Sequence, residues 1–240
     1  LNLNAASVVD TNSAAVVTLT ADSDTTGGGA FVQTEGSVVN AQGGALNVTA
    51  TDNISLADLQ SVGGIITIDS SSGSIVDNTV AETALISGGQ LSISALDGIG
   101  TSTGDEDIET AVGTLAAITT DNDVVISNTG ALLISDVAPL SGVTSTNGAV
   151  SITTASPLTV DSNVTAAGTV TLTSTDAAGA GDDLTINAGV TVESTTADVV
   201  LNSGDDFLLS LTGTVRAATT IEINVDPITD GTGATVDLLG

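Results

Sequence analysis

The chain contains no cysteine, methionine, tryptophan, tyrosine or histidine, and its 240 residues hold only two phenylalanines and a single basic side chain. Each absence closes a class of function. Without cysteine there is no disulfide framework and no thiolate chemistry. One arginine against 29 acidic residues, a formal charge of −28, leaves almost nothing to displace counterions from phosphates, so nucleic acid is excluded as a partner. The same deficit excludes binding to anionic membrane surfaces. Missing tyrosine, tryptophan and histidine remove the rings that stack on sugars and the commonest general base. The lack of easily oxidised side chains fits a protein outside the cell. No apolar run is long enough to span a bilayer. The longest uncharged stretch, Val137 to Val160, is interrupted by Pro139 and Pro157 and rich in Ser and Thr, so no direct membrane insertion is expected. A basic start followed by an apolar stretch, the mark of a secretory leader, is not found after Leu1. The sequence is therefore taken as a mature piece or a segment of something longer.

Helix signals are nearly absent, whereas short alternating runs of Val, Ile, Leu and Thr between Gly, Asn, Asp and Ser occur throughout. One phrase returns: two small or turn residues, a spacer, then apolar–polar–apolar–polar. Gly43-Gly44-Ala45-Leu46-Asn47-Val48-Thr49, Gly63-Gly64-Ile65-Ile66-Thr67-Ile68-Asp69 and Gly88-Gly89-Gln90-Leu91-Ser92-Ile93-Ser94 show it most clearly. Its first apolar residues are Val17, Leu46, Ile66, Leu91, Val124, Val150, Val170, Val199 and Ile221, at spacings of 29, 20, 25, 33, 26, 20, 29 and 22. A floor near 20 residues with longer gaps is the rhythm of stacked coils carrying loop insertions.

The pattern predicts an all-β chain, a right-handed parallel β-helix (β-solenoid) of about nine coils forming one unit over residues 1–240. Loop insertions are expected near 22–29, 104–109 and 177–183. Alternation places Val170, Leu172, Leu184, Ile186, Val190, Val192, Val199 and Leu201 inside. It places Thr171, Thr173, Thr185, Asn187, Thr191 and Glu193 outside. Phe31 and Phe207 are expected as core or end-packing residues rather than ligand platforms. A tandem of β-sandwich domains is the rival architecture, but the 20-residue period is too short for domains of about 100 residues.

The doubled-glycine phrase, with the stretch Asp183-Leu184-Thr185-Ile186-Asn187-Ala188-Gly189-Val190-Thr191-Val192, resembles the haemagglutinin-type repeats of large bacterial secreted adhesins of the filamentous-haemagglutinin-like and autotransporter-like kind. The resemblance implies a right-handed β-helix serving as a stalk at a cell surface, and it carries over no catalytic residue. The lack of lysine departs from many such proteins.

Acidic groups recur at the expected turns: Asp22/Asp24, Asp105/Glu106/Asp107/Glu109, Asp121/Asp123, Asp182/Asp183, Asp205/Asp206 and Asp226/Asp230. Carboxylates on loops are the hard oxygen ligands that Ca²⁺ takes. Asp105, Glu106, Asp107 and Glu109, four carboxylates within five residues, are the candidate calcium ligands, although neither a twelve-residue calcium loop nor the nonapeptide of calcium-binding β-rolls is present. The plainer alternative is solvated turn carboxylates that keep rods apart. Paired carboxylates also evoke glycoside hydrolysis, but the surrounding cleft chemistry is missing, so no enzyme activity and no required cofactor are expected. Arg216 sits at an outward position where a salt bridge to a neighbouring acid is the plain expectation. Outward hydroxyls such as Thr171 and Thr173 beside Ser151 and Thr153 vary too much from coil to coil to make a regular array. Asn47, Asn53 and Asn163 lie in Asn-x-Ser/Thr sequons.

These readings converge on an extracellular, cell-surface structural stalk of a secreted bacterial adhesin. The alternatives are a self-assembling subunit of a homopolymeric filament and a calcium-dependent surface layer. The expected partners are other copies end to end or neighbouring β-helix segments of the same protein.

Overall fold

A computed structural model describes residues 1–22, 28–80, 83–101, 107–175, 181–226 and 235–238. The chain winds into a β-solenoid of parallel strands in three ladders, which form three sides around one apolar core. The first side runs from Asn2–Leu3 through Phe31–Gln33, Ile54–Leu56 and Ile75–Asp77 to Val124–Asn128, Val150–Thr154, Val170–Ser174, Val199–Ser203 and Ile221–Val225. The second side starts at Val8–Asp10 and Val38–Asn40 and ends with Leu158–Val160, Leu184–Ile186, Phe207–Leu209 and Val236–Leu238. The third starts at Val17–Thr20 and Leu46–Ala50 and ends with Val164–Ala166, Thr191–Ser194 and Thr214–Ala217. The long strands Leu59–Ser70 and Ile86–Ala95 each turn the corner from second side to third, and Ile108–Thr119 pairs onward with strands of all three sides, at Ile126–Asn128, Leu133–Ile134 and Val143–Ser145. About eight turns result, close to the nine expected. In one coil, the first side is represented only by Ile99, an isolated bridge between Ile75 and Val124.

Period-two alternation explains why these residues take these positions. In Val170–Ser174 the odd members point in and the even ones out, and Val170 and Leu172 are fully buried. All eight side chains expected inside are buried, with Val190 the most exposed at 5%. The six expected outside are partly exposed. Parallel register then sets like on like: Val150, Val170 and Val199 stack, as do Ile152, Leu172 and Leu201. Phe31 and Phe207 are both wholly buried. Each buried aliphatic side chain contributes about 1.5–3 kcal/mol relative to exposure.

The recurring phrase does not occupy one ladder throughout. Val17, Leu46, Ile66 and Leu91 stack on the third side. Val124, Val150, Val170, Val199 and Ile221 stack on the first. The 33-residue gap is therefore not one coil with a long insertion. The chain completes a coil from Leu91 to its ladder partner Leu115 and then moves on to the next side. The phrase is not legible in that coil, because Leu115-Ala116-Ala117-Ile118 breaks the apolar–polar alternation. Residues 23–27, 104–106 and 177–180 of the three expected insertions lie outside the described residues. Ile108 and Glu109, at the end of the second, already belong to strand Ile108–Thr119, opposite Ile126 and Ser127.

Doubled glycines stand where the chain turns between the second and third sides. At Gly63 φ is +80°, a left-handed conformation in open space that costs any other residue strain. Gly64 is needed for closeness: a Cβ there would lie 2.5 Å from the Gly44 carbonyl oxygen of the coil before and 2.1 Å from Ser61 Oγ. The two glycines of the phrase thus answer different demands.

Candidate functional site

The acidic turns are the residues to follow, and the structure gives most of them a mechanical task. Asp123 Oδ1 accepts the Ala149 N–H at 2.7 Å, from a residue 26 positions further along. Asp183 Oδ1 accepts the Asp206 N–H at 3.2 Å, and Asp206 Oδ1 accepts both the N–H and the hydroxyl of Thr235 at 2.8 Å. Asp205 Oδ2 accepts the Gly181 and Asp182 N–H groups at 2.6 and 3.0 Å. Asp198 Oδ1 accepts the Thr220 N–H at 2.9 Å together with the Thr219 hydroxyl. Asp22 takes the Thr51 hydroxyl at 2.9 Å, and Asp121 takes the Asn147 amide at 3.2 Å. Every one of these bonds joins a corner to the corner of the adjacent coil, where the backbone leaves the ladder and its N–H groups lose their strand partners.

Amides and hydroxyls do the same. Asn53 Oδ1 accepts from Ser74 N–H at 2.9 Å and Asn163 Oδ1 from Thr191 N–H at 2.8 Å, so two of the three sequon asparagines are engaged between coils. Asn47 lies on the outward face of Leu46–Ala50. Ser145 Oγ donates to the Asn122 carbonyl at 2.8 Å and accepts the Gly148 N–H at 3.0 Å. Ser194 repeats the arrangement with the Gly168 carbonyl at 2.8 Å and the Ala197 N–H at 3.0 Å. These buried serines were not singled out from the sequence. Their inward parity at the ends of strands was the signal.

Parity also marks two interior polar side chains. Gln33, fully buried, donates to the Asp58 and Ser37 carbonyls at 2.7 and 3.1 Å and accepts from Ala57 N–H at 3.2 Å. Asn128 accepts from the Thr110 hydroxyl at 2.8 Å and from Val112 N–H at 2.9 Å. Both stand on the inward parity of their strands, in line with Phe31 and with Val124, and satisfy main-chain groups where the core meets a corner.

Electrostatics follow the bonding. Hydrogen bonds from Ser141 and Ser162 hold the Asp136 carboxyl below its ordinary range. The Thr219 hydroxyl does so for Asp198, and the Gln42 amide with the Asn12 N–H for Asp10. Burial pushes Asp58 the other way, against a lowering bond from Gln60.

The four proposed calcium ligands divide. Asp105 and Glu106 lie outside the described residues. Asp107 is partly exposed just ahead of the strand. Glu109 is inside the strand and 6% exposed, its carbonyl taking the Leu85 N–H at 2.9 Å. Among the described residues no group of three or more His, Cys, Asp or Glu is placed to hold a metal ion. A broad cleft of about 460 Å³ at the corner between second and third sides is lined by Asp136, Asp161, Ser162, Asn163 and neighbouring threonines. Its Asp136 is held ionised at neutral pH and cannot donate a proton. Asp161 accepts from Asn187 Nδ2 at 2.9 Å.

Arg216 is exposed and stands opposite Glu193 in the third ladder. Thr171 and Thr173 do stack on Ser151 and Thr153, but Val200 and Asn202 follow in the next coil. The column is continued by bonds of another kind: Asn202 donates to Thr173 at 3.0 Å and Asn224 to Asn202 at 2.9 Å.

The fold and these bonds define a β-solenoid repeat protein whose polar side chains are spent joining coil to coil. No family model matches the chain, and no match was found among the curated proteins or the solved structures.

Proposed function

We propose that this chain is a shaft segment of a secreted, cell-surface structural protein of the bacterial adhesin type, resembling filamentous haemagglutinin in its repeat. The observation that carries the reading is in-register parallel pairing that runs from Asn2 against Val32 at one end to Leu209 against Leu238 at the other. Force along the rod loads many backbone bonds at once, and the corner carboxylates add a bond between coils where the ladders stop. A formal charge of −28 keeps such rods dispersed in salt-rich surroundings. Ile221, Val236 and Leu238, on the inward parity of the outermost strands, are 46%, 53% and 59% exposed. A further coil of the same kind, from the same protein or from a second copy, would cover them.

Electron microscopy of the purified chain, with and without millimolar calcium, tests the proposal. Short uniform rods about 40 Å long, from eight coils at about 4.8 Å per parallel step, are expected in both conditions. Long uniform fibres would replace the shaft with a self-assembling filament. Fibres that disperse in chelator would make calcium the joint.

A further inference from the structure

One segment leaves the solenoid path altogether. Strand Ile108–Thr119 pairs Leu115 with Ile134 and then Ala117 with Val143. Opposite Ala116 the chain therefore makes an excursion over residues 135–142 instead of supplying a single partner. Its ends are pinned on the ladder, with the Ser135 N–H on the Leu115 carbonyl at 3.1 Å and the Ala117 N–H on the Gly142 carbonyl at 3.0 Å. Within it, Asp136–Val137 and Leu140–Ser141 form an antiparallel hairpin, in contrast to the parallel ladders.

The hairpin lies against strands Ile86–Ala95 and Ile108–Thr119. The core side of both strands is filled, so it packs on their outer face. Three exposures agree. Ser92 and Ala116 are ladder partners on outward parity, yet they are 2% and 0% exposed, and Val137 is 2% exposed. In the other direction, Asp136 Oδ1 accepts the Ser162 hydroxyl at 2.7 Å, from the coil beyond the hairpin's own, besides the Ser141 hydroxyl within it. The excursion thus reaches from the coil of Ser92 to the coil of Ser162. Between these lie the coil whose first side is a single bridge at Ile99 and the point where the repeated phrase changes sides.

We propose that the hairpin Asp136–Ser141 is an external strap, with Val137 as its apolar anchor and Asp136 as its polar one, which couples the two halves of the solenoid across the change of side. The coupling is independent of what the rod supports.

Amide hydrogen exchange on the full chain tests it, comparing the unaltered protein with Val137→Ser and, separately, Ser162→Ala. Val137→Ser removes the apolar anchor. Exchange is expected to rise about tenfold in Ile86–Ala95 on one side and in Val143–Ser145 and Val150–Thr154 on the other. Val199–Ser203 should be unchanged. Ser162→Ala leaves the core intact and frees Asp136 from the following coil, so a smaller rise in the same strands is expected. It decides the matter alone if Val137→Ser does not fold. A rise confined to residues 135–142, or to strands on one side of the change, would overturn the strap.

Discussion

Replacing Gly64 by alanine tests how closely the coils are stacked. The new Cβ would sit 2.5 Å from the Gly44 carbonyl oxygen and 2.7 Å from that of Gly43. A comfortable carbon–oxygen contact is about 3.3 Å, so the two corners must separate by roughly 0.8 Å. Parallel strands on either side of the corner hold the coils about 4.8 Å apart, and the Gly44 N–H bond to the Ala41 carbonyl at 2.8 Å resists rotation of the turn. Overpacking of this kind costs about 3 kcal/mol, which in a chain of this length lowers Tm by about 6–12 °C. Gly63→Ala is the matched control. Its Cβ meets nothing within 4 Å, but φ is +80°, so only conformational strain of about 1 kcal/mol and a Tm loss of about 2–4 °C are expected. Thermal unfolding followed by circular dichroism distinguishes the two. If Gly64→Ala is no worse than Gly63→Ala, close approach is not the reason for the second glycine and the packing argument fails.

Leu172→Ala should cost about 2–5 kcal/mol in urea unfolding, because it empties a fully buried site stacked between Ile152 and Leu201. Thr171→Ala beside it should stay within about 0.5 kcal/mol. Asp58 is raised by burial, so at neutral pH its charged form opposes folding. Asp58→Asn should raise the urea midpoint at pH 7, and the gain should vanish as pH falls through the raised value, where the native aspartate is protonated too. Asp10, Asp136 and Asp198 are shifted down. Their contribution is complete above the unfolded carboxylate value, near 3.9, and is lost as pH falls through their folded values. Urea midpoints should therefore drop on acidification, and Asp198→Asn should flatten that drop below pH 4. An unchanged slope would remove Asp198 from the account.

Local alternation was enough to place Val170, Leu172, Leu184, Ile186, Val192 and Leu201 in the core, because a half-buried strand writes its two faces into successive residues. It failed at Leu115-Ala116-Ala117-Ile118, where Ala116 is outward by parity but covered. The hairpin packed against this strand contains Val137, 21 positions away, in a stretch that reads as an ordinary turn around Pro139. The carboxylates were legible as turn residues, but their partners were not. Asp123 meets Ala149, and Asp206 meets Thr235, only because the register of stacked coils brings them together. Residue type shows what a side chain can accept, whereas the offset between coils decides what it is offered.

The transfer of the phrase from the third side to the first has a geometrical consequence for anything that meets the rod laterally. Seen down its axis, the face bearing Asn47 and Thr67 and the face bearing Ser151 and Thr171 point to different compass bearings. A straight, rigid neighbour laid along the rod therefore reads two different textures in its two halves, and one that followed a single texture would have to spiral.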